Sequence, residues 1–218
     1  MKKRLRDNGL SIVVLGLFVL LLFGQAWTGC SEYNREQIKH GENPISFGQY
    51  LGNPHFLEAM FENWESEFLQ MAAYVVLTVF LFQKGSAESK DPDQKAAVDE
   101  DPRRHRDESG VPAPVRHGGW RLRLYEHSLS LALFGLFLVA WVGHGMAGFA
   151  AYNEDLTEHG RMAVSFGQYL LGARFWFESL QNWQSEFLAV AAIVILSIWL
   201  REKGSPESKP VASPHQKT

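Results

Sequence analysis

The chain has one cysteine, Cys30, in 218 residues, so no disulfide forms within it. It has no CxxC pair, no GxGxxG, no Walker phosphate loop, no HExxH and no GxSxG. Dinucleotide, nucleoside-triphosphate, zinc-protease and serine-hydrolase chemistry each lack their usual signature. An excess of positive charge is missing too: 21 Lys and Arg stand against 24 Asp and Glu, a net charge of −3. That balance excludes the electrostatic footprint of a nucleic-acid binder. Charge is absent altogether from one stretch, Leu10 to Gly29. A run of about 20 uncharged residues is long enough to cross a bilayer as a helix and too uniformly apolar for a half-exposed soluble one.

What is present is said twice. Residues 6–90 align without a gap to residues 125–209 at a constant offset of 119. About 35 of the 85 aligned pairs are identical, which marks an internal duplication. Ser46–Leu51 returns as Ser165–Leu170, Asn63–Leu69 as Asn182–Leu188 (with Glu65 replaced by Gln184), and Lys84-Gly85-Ser86 with Glu88-Ser89-Lys90 as Lys203-Gly204-Ser205 with Glu207-Ser208-Lys209.

Each copy reads as two membrane-spanning helices. The first spans are about 10–29 and 129–151; the second, extended back to Asn63 and Asn182 to reach a full bilayer, are about 63–83 and 182–201. The expected fold is an all-α, integral membrane four-helix bundle of two parallel tandem repeats, each with a short outer amphipathic helix. Residues 1–9 form a basic tail, 10–85 the first repeat, 86–120 a linker, 121–204 the second repeat and 205–218 a second tail. The linker is rich in charge and Pro and reads as disordered.

Lys and Arg crowd the N-terminal tail, the linker and the C-terminal tail, and only Arg35, Lys39, Arg161 and Arg174 lie in the other two loops. That bias places both termini and the linker in the cytoplasm. Two spans per copy keep the copies in one orientation, related by a pseudo-two-fold axis along the membrane normal. Trp27, Trp64 and Trp183 then mark the outer interface, and Trp120 and Trp199 the inner one. Trp27-Thr28-Gly29-Cys30 faintly resembles a lipoprotein cleavage site, but its Trp is too large and its second copy puts Phe149 where the cysteine would be.

Within each copy, Ser31–His40 reads as a short outer helix stopped by Gly41. Asn53-Pro54 is a helix start, an N-cap residue followed by Pro at the first helical position. Gly85 and Gly204 are helix stops.

Four groups of residues could carry chemistry. Asn63, Glu67, Gln70, Tyr74 and Thr78 fall on one stripe of the long helix, and the second copy keeps Asn182, Glu186 and Ser197. Glu58, Glu62 and Glu65 point elsewhere and are not shared. Glu67 and Glu186, with Gln25 and His144 at equivalent places on the first spans, form a candidate intramembrane polar site; His144 with Glu186 has the makings of a proton relay. The plainer reading puts both carboxylates in the headgroup zone, bonded to a neighbouring loop.

Glu36 with His40, and Asp155 with His159, stand at i, i+4, a spacing open to metal ligation. A His before a helix-stopping Gly is equally explained by the helix dipole, and no third ligand accompanies either pair. Gln49 and Gln168 are candidates to line an entrance, and Tyr50 and Tyr169 to anchor at the interface. Small residues at Gly24 and Thr28, and at Gly143, Ala147 and Ala151, suit close helix packing.

Taken together, Ser46–Leu51, Asn63–Leu69, Lys84–Lys90 and their second copies resemble a family of bacterial four-span membrane proteins known only as a domain of unknown function. The resemblance spans nearly the whole chain. It implies a bacterial inner-membrane location and supplies no activity. The expected role is structural or interactive, with no catalysis, no cofactor and no metal; the alternative is a small channel or proton-coupled carrier along Glu67 and Glu186. Candidate partners are the lipid bilayer, further copies of the chain, and a cytoplasmic protein at Lys84–Lys90 and Lys203–Lys209.

Overall fold

The computed structural model describes residues 6–215. Every α or 3-10 element among them is helical, and none is a strand. The α-helices are α1 (Gly9–Lys39), α2 (Phe47–Tyr50), α3 (Pro54–Phe80), α4 (Ala113–His117), α5 (Gly119–Glu126), α6 (Ser128–Glu158), α7 (Phe166–Leu170) and α8 (Ala173–Leu196).

α1 and α6 are long and apolar enough to cross a membrane, by length and composition. Little of either apolar stretch is buried, which separates them from core helices of a soluble domain. Leu10, Leu20, Leu21 and Val139 all point outward. α3 and α8 do not meet the same measure. The reason is polarity: α3 carries Asn63, Glu65, Glu67 and Gln70, and α8 carries Gln181, Asn182, Gln184 and Glu186.

The segment expected as a separate outer helix, Ser31–His40, is instead the last part of α1. Nothing between Gly29 and Lys39 breaks the helix, so it runs on to His40 and the turn at Gly41. Asn53 does start α3: its side-chain Oδ1 accepts from the His55 backbone N–H at 2.9 Å.

Equivalent positions make the same local bonds. Asn34 ties down Ile45 through both its amide atoms, accepting from Ile45 N at 2.8 Å and donating to Ile45 O at 2.9 Å. Asn153 does the same to Val164, at 2.8 and 3.1 Å. Ser46 and Gln49 close a capping box on α2. Ser165 and Gln168 make the matching bonds on α7.

The chain divides into two compact units, Met1–Met60 with Gly143–Gln168, and Phe61–Val142 with Tyr169–Thr218. The first has a core of Ala26, Cys30, Tyr50 and Phe56, edged by Leu22, Tyr33 and Met60. Gly29 is essential to it, because a Cβ there would collide with the Tyr50 hydroxyl. In the second, an aromatic series runs Phe137 to Trp183 to Trp176 to Phe175, with centroid spacings of 6.3, 6.4 and 5.6 Å. Phe175 has no exposed surface.

Residues 86–120, expected to be disordered, carry two 3-10 turns, at Ala97–Asp99 and Pro102–His105, and the short helix α4. Short-range charge pairs fix them: Lys84 with Asp93 at 2.9 Å, Lys90 with Asp99 at 2.6 Å and His105 with Glu108 at 2.8 Å. His105 also meets Glu100, at 3.1 Å, and the two glutamates lift it above its ordinary value, Glu108 first and Glu100 second, by bonding to its charged form.

Candidate functional site: buried polar groups on the long helices

In the second unit, side chains of α3 and α8 bridge the two helices. The Trp183 indole Nε1 donates to Glu65 Oε1 at 3.0 Å. Asn182 Nδ2 donates to Glu62 Oε1, and to the Glu178 carbonyl at 3.2 Å. Glu65 and Ser179 have no exposed surface, and Ser66 is 2 % exposed. Glu62, Glu65 and Ser66 share one face of α3 by their spacing of three and four. Ser179, Asn182 and Trp183 share one face of α8 in the same way. A buried carboxylate requires donors, and the indole N–H supplies one.

This seam is not the stripe chosen from the sequence. Asn63 and Glu67 are exposed on α3, one and two residues round the helix from the buried face. Asn182 belongs to the seam. Glu186 is half-buried, and the Glu67 carboxylate is near enough to act on its charge. Gln25 is exposed on α1, and His144 is fully buried on α6.

In the first unit, two tyrosines, a histidine and a carboxylate gather. Tyr33 Oη donates to Glu154 Oε1 at 3.2 Å, and Tyr50 Oη lies 3.0 Å from His55 Nδ1. The Tyr33 ring is 5.7 Å from both Tyr50 and His55. Burial pushes the Tyr50 phenol up to about 12, with Cys30 and Tyr33 adding to it. Loss of water round the His55 ring pulls its value down, opposed by the Glu154 charge. The second copy replaces this chemistry. Arg174 stands where His55 would be, and its Nε donates to Glu178 at 2.8 Å, while Tyr169 Oη donates to the other Glu178 oxygen at 3.4 Å.

Tyr50 and Tyr169, expected as anchors at the membrane interface, are each 2 % exposed within the chain. Gln49 and Gln168, expected at an entrance, close capping boxes with Ser46 and Ser165. The S-x-x-Q spacing was the available signal for that role.

The His40 and His159 rings do meet, with centroids 6.3 Å apart. Their carboxylates are engaged locally: Glu36 with Lys39 at 2.5 Å and Asp155 with His159 at 3.3 Å. Among the described residues, no group of three or more His, Cys, Asp or Glu is placed to hold a metal.

The repeated Lys-Gly-Ser-x-Glu-Ser-Lys segments are built loops. Ser86 Oγ accepts from Glu88 N at 3.1 Å, and Ser89 Oγ accepts from Gln83 N at 2.8 Å. Ser205 and Ser208 accept from Glu207 N and Glu202 N at 3.1 and 2.9 Å. Gly85 and Gly204 take φ of +88° and +91°, the left-handed turn that glycine alone enters freely. The first loop also grips the end of α8, with Ser86 Oγ 2.9 Å from Ser197 Oγ and Ala87 N donating to Ser197 Oγ at 3.1 Å. Lys209 reaches back to donate to the Gly85 carbonyl. Burial, and secondarily Arg201, holds the Lys209 amine below its ordinary value. The sequence marks the glycines as helix stops and the segments as a candidate docking element; the loop-closing role of the serines was missed, and their matching positions were the signal.

The whole chain, residues 1–218, matches the family described as a domain of unknown function (DUF6766). It belongs to that family. No curated protein and no solved structure matches it.

Proposed function

We propose that this member of the family is a multi-pass protein of the bacterial inner membrane with a structural or interaction role, not a catalytic one. In this reading the chain crosses four times, twice per copy, with both termini and the linker in the cytoplasm. The observation that carries it is the seam. Glu62 and Glu65, at the start of the second span on α3, are met by Asn182 and Trp183 of α8. A charged helix that finds its donors on a neighbouring helix can be held at membrane depth. The outward apolar side chains of α1 and α6 suit contact with lipid. The loops at Lys84–Lys90 and Lys203–Lys209 offer a cytoplasmic docking surface, and further copies of the chain are a second class of partner.

Topology reporters fused after Thr218 and within the linker test the placement. Cytoplasmic signals at both points are expected; a periplasmic signal at either removes the four-span reading.

One observation favours the alternative, a small channel or proton-coupled carrier. Glu67 and Glu186 lie off the bridged face, with one carboxylate acting on the other. Proton and small-ion flux into vesicles, compared for wild type, Glu67→Gln and Glu186→Gln, decides it. Under the structural reading all three match empty vesicles; a flux that either substitution abolishes establishes the carrier.

A further inference from the structure

A groove of about 650 Å³ lies between the last turns of α3 and the loop that follows it. Its α3 wall is mixed, with Val75 and Val79 beside Tyr74 and Thr78, and Val98 joins the lining from the linker. Its polar end holds one ammonium and two carboxylates: Lys90, Glu88 and Asp99. Glu88 is held from one side only. Tyr74 Oη donates to its Oε2 at 2.9 Å. Its other oxygen, Oε1, is buried and has no hydrogen-bond partner among the described residues. A buried carboxylate oxygen left in that condition is costly unless a donor arrives from outside the chain. Lys90 is not that donor: its Nζ bonds Asp99 at 2.6 Å and the Val79 carbonyl at 3.3 Å, with one N–H left over.

We propose that this groove binds the headgroup of a zwitterionic phospholipid bearing a primary ammonium. The inference rests on the membrane placement above, which brings the end of α3 to the cytoplasmic interface. There the groove opens where headgroups lie, and Val75 and Val79 continue upward as a track for an acyl chain. The ammonium has three N–H donors, enough for Glu88 Oε1 and Asp99 together. The adjoining phosphate meets Lys90, whose Nζ lies over the Phe82 ring at 5.6 Å from its centroid. A trimethylated headgroup has no N–H to give. An anionic headgroup brings no donor and adds negative charge beside two carboxylates. The groove therefore selects by hydrogen-bond donors as well as by charge.

The test uses the full chain in detergent with equal amounts of phosphatidylethanolamine, phosphatidylcholine and phosphatidylglycerol, and the lipid retained is identified by mass spectrometry. Retention of phosphatidylethanolamine is expected to exceed the others by about tenfold, the scale of one charge-assisted hydrogen bond. Glu88→Gln should remove that preference. Asp99→Asn should weaken it. Equal retention of the three lipids, preference for phosphatidylglycerol, or an unchanged preference in Glu88→Gln overturns the proposal. Flotation of the wild type with plain phosphatidylcholine vesicles separates the two readings. A chain that floats without headgroup preference refutes only the groove; one that stays in the aqueous fraction refutes the membrane placement as well.

Discussion

Trp183 gives its indole N–H to Oε1 of Glu65, and Glu65 has no exposed surface. Trimming the carboxylate strands that N–H and opens a cavity in the seam. Glu65→Ala should cost about 1–3 kcal/mol, while Glu65→Gln, which keeps an oxygen for the indole, should cost less. Thermal unfolding of the purified variants in detergent measures both. An alanine variant that melts with the wild type would show that the seam contributes nothing to stability.

Gly29 and Tyr50 make a second tight relationship. A Cβ at position 29 would overlap the Tyr50 hydroxyl and come within 3.1 Å of Cζ. Tyr50 has little room to yield, since its ring lies against Tyr33, Phe56 and His55 at 5.7, 5.6 and 6.1 Å. Gly29→Ala should destabilise by about 1–3 kcal/mol through overpacking. Tyr50→Phe removes the overlapping oxygen, so the double variant should recover part of that loss. Strictly additive losses in the cycle would rule out a direct clash.

The helices were legible because their signals are local. The uncharged run from Leu10, the Asn53-Pro54 start and the glycines after each long helix all act on their own neighbours. The choice of carboxylate was not legible. Glu65 and Glu67 are two residues apart, about 200° round a helix, so they face nearly opposite ways. Symmetry between the copies favoured Glu67, which returns as Glu186, over Glu65, which returns as Gln184. The copies do not share surroundings, however. Burial of Glu65 depends on Trp183 arriving from α8, a long-range contact that no spacing on α3 reports. His55 and Arg174 diverge for the same reason: each answers a local partner, Tyr50 in one copy and Glu178 in the other. The turns in the linker were not legible from its composition. Its charges are too many to bury, yet they close pairs such as Lys90 with Asp99 that fix short turns.

His55 gives the chain a pH dependence of known sign. Its value in the folded chain lies below the ordinary 6.5 because burial disfavours the charged ring. Above 6.5 the ring is neutral folded or unfolded and contributes nothing. As pH falls below 6.5 the unfolded chain takes up the proton first, and stability declines until pH passes the folded value, where the loss levels off. The residue as a whole is exposed, so the effect is modest. Unfolding followed from pH 7.5 to pH 5 should show a steeper decline in the wild type than in His55→Gln. Parallel profiles would mean that the Tyr50 to His55 bond survives protonation or does not form.

Ser197 is the point where the first loop holds the end of α8. Its hydroxyl meets Ser86 Oγ at 2.9 Å and accepts from Ala87 N at 3.1 Å, with Ser86 fully buried. Ser197→Ala leaves both groups without that partner, at a cost of about 1–3 kcal/mol for the buried donors. The loss is local to the loop, so the global melting point is the less sensitive readout. Amide hydrogen exchange across residues 84–90 should quicken by about tenfold or more, because exchange follows the free energy of local opening. Ser197→Thr keeps the hydroxyl and should restore slow exchange. Loop amides that exchange alike in wild type and Ser197→Ala would show that the serine contact does not hold the loop, leaving Lys209 on the Gly85 carbonyl as the tie between the two loops.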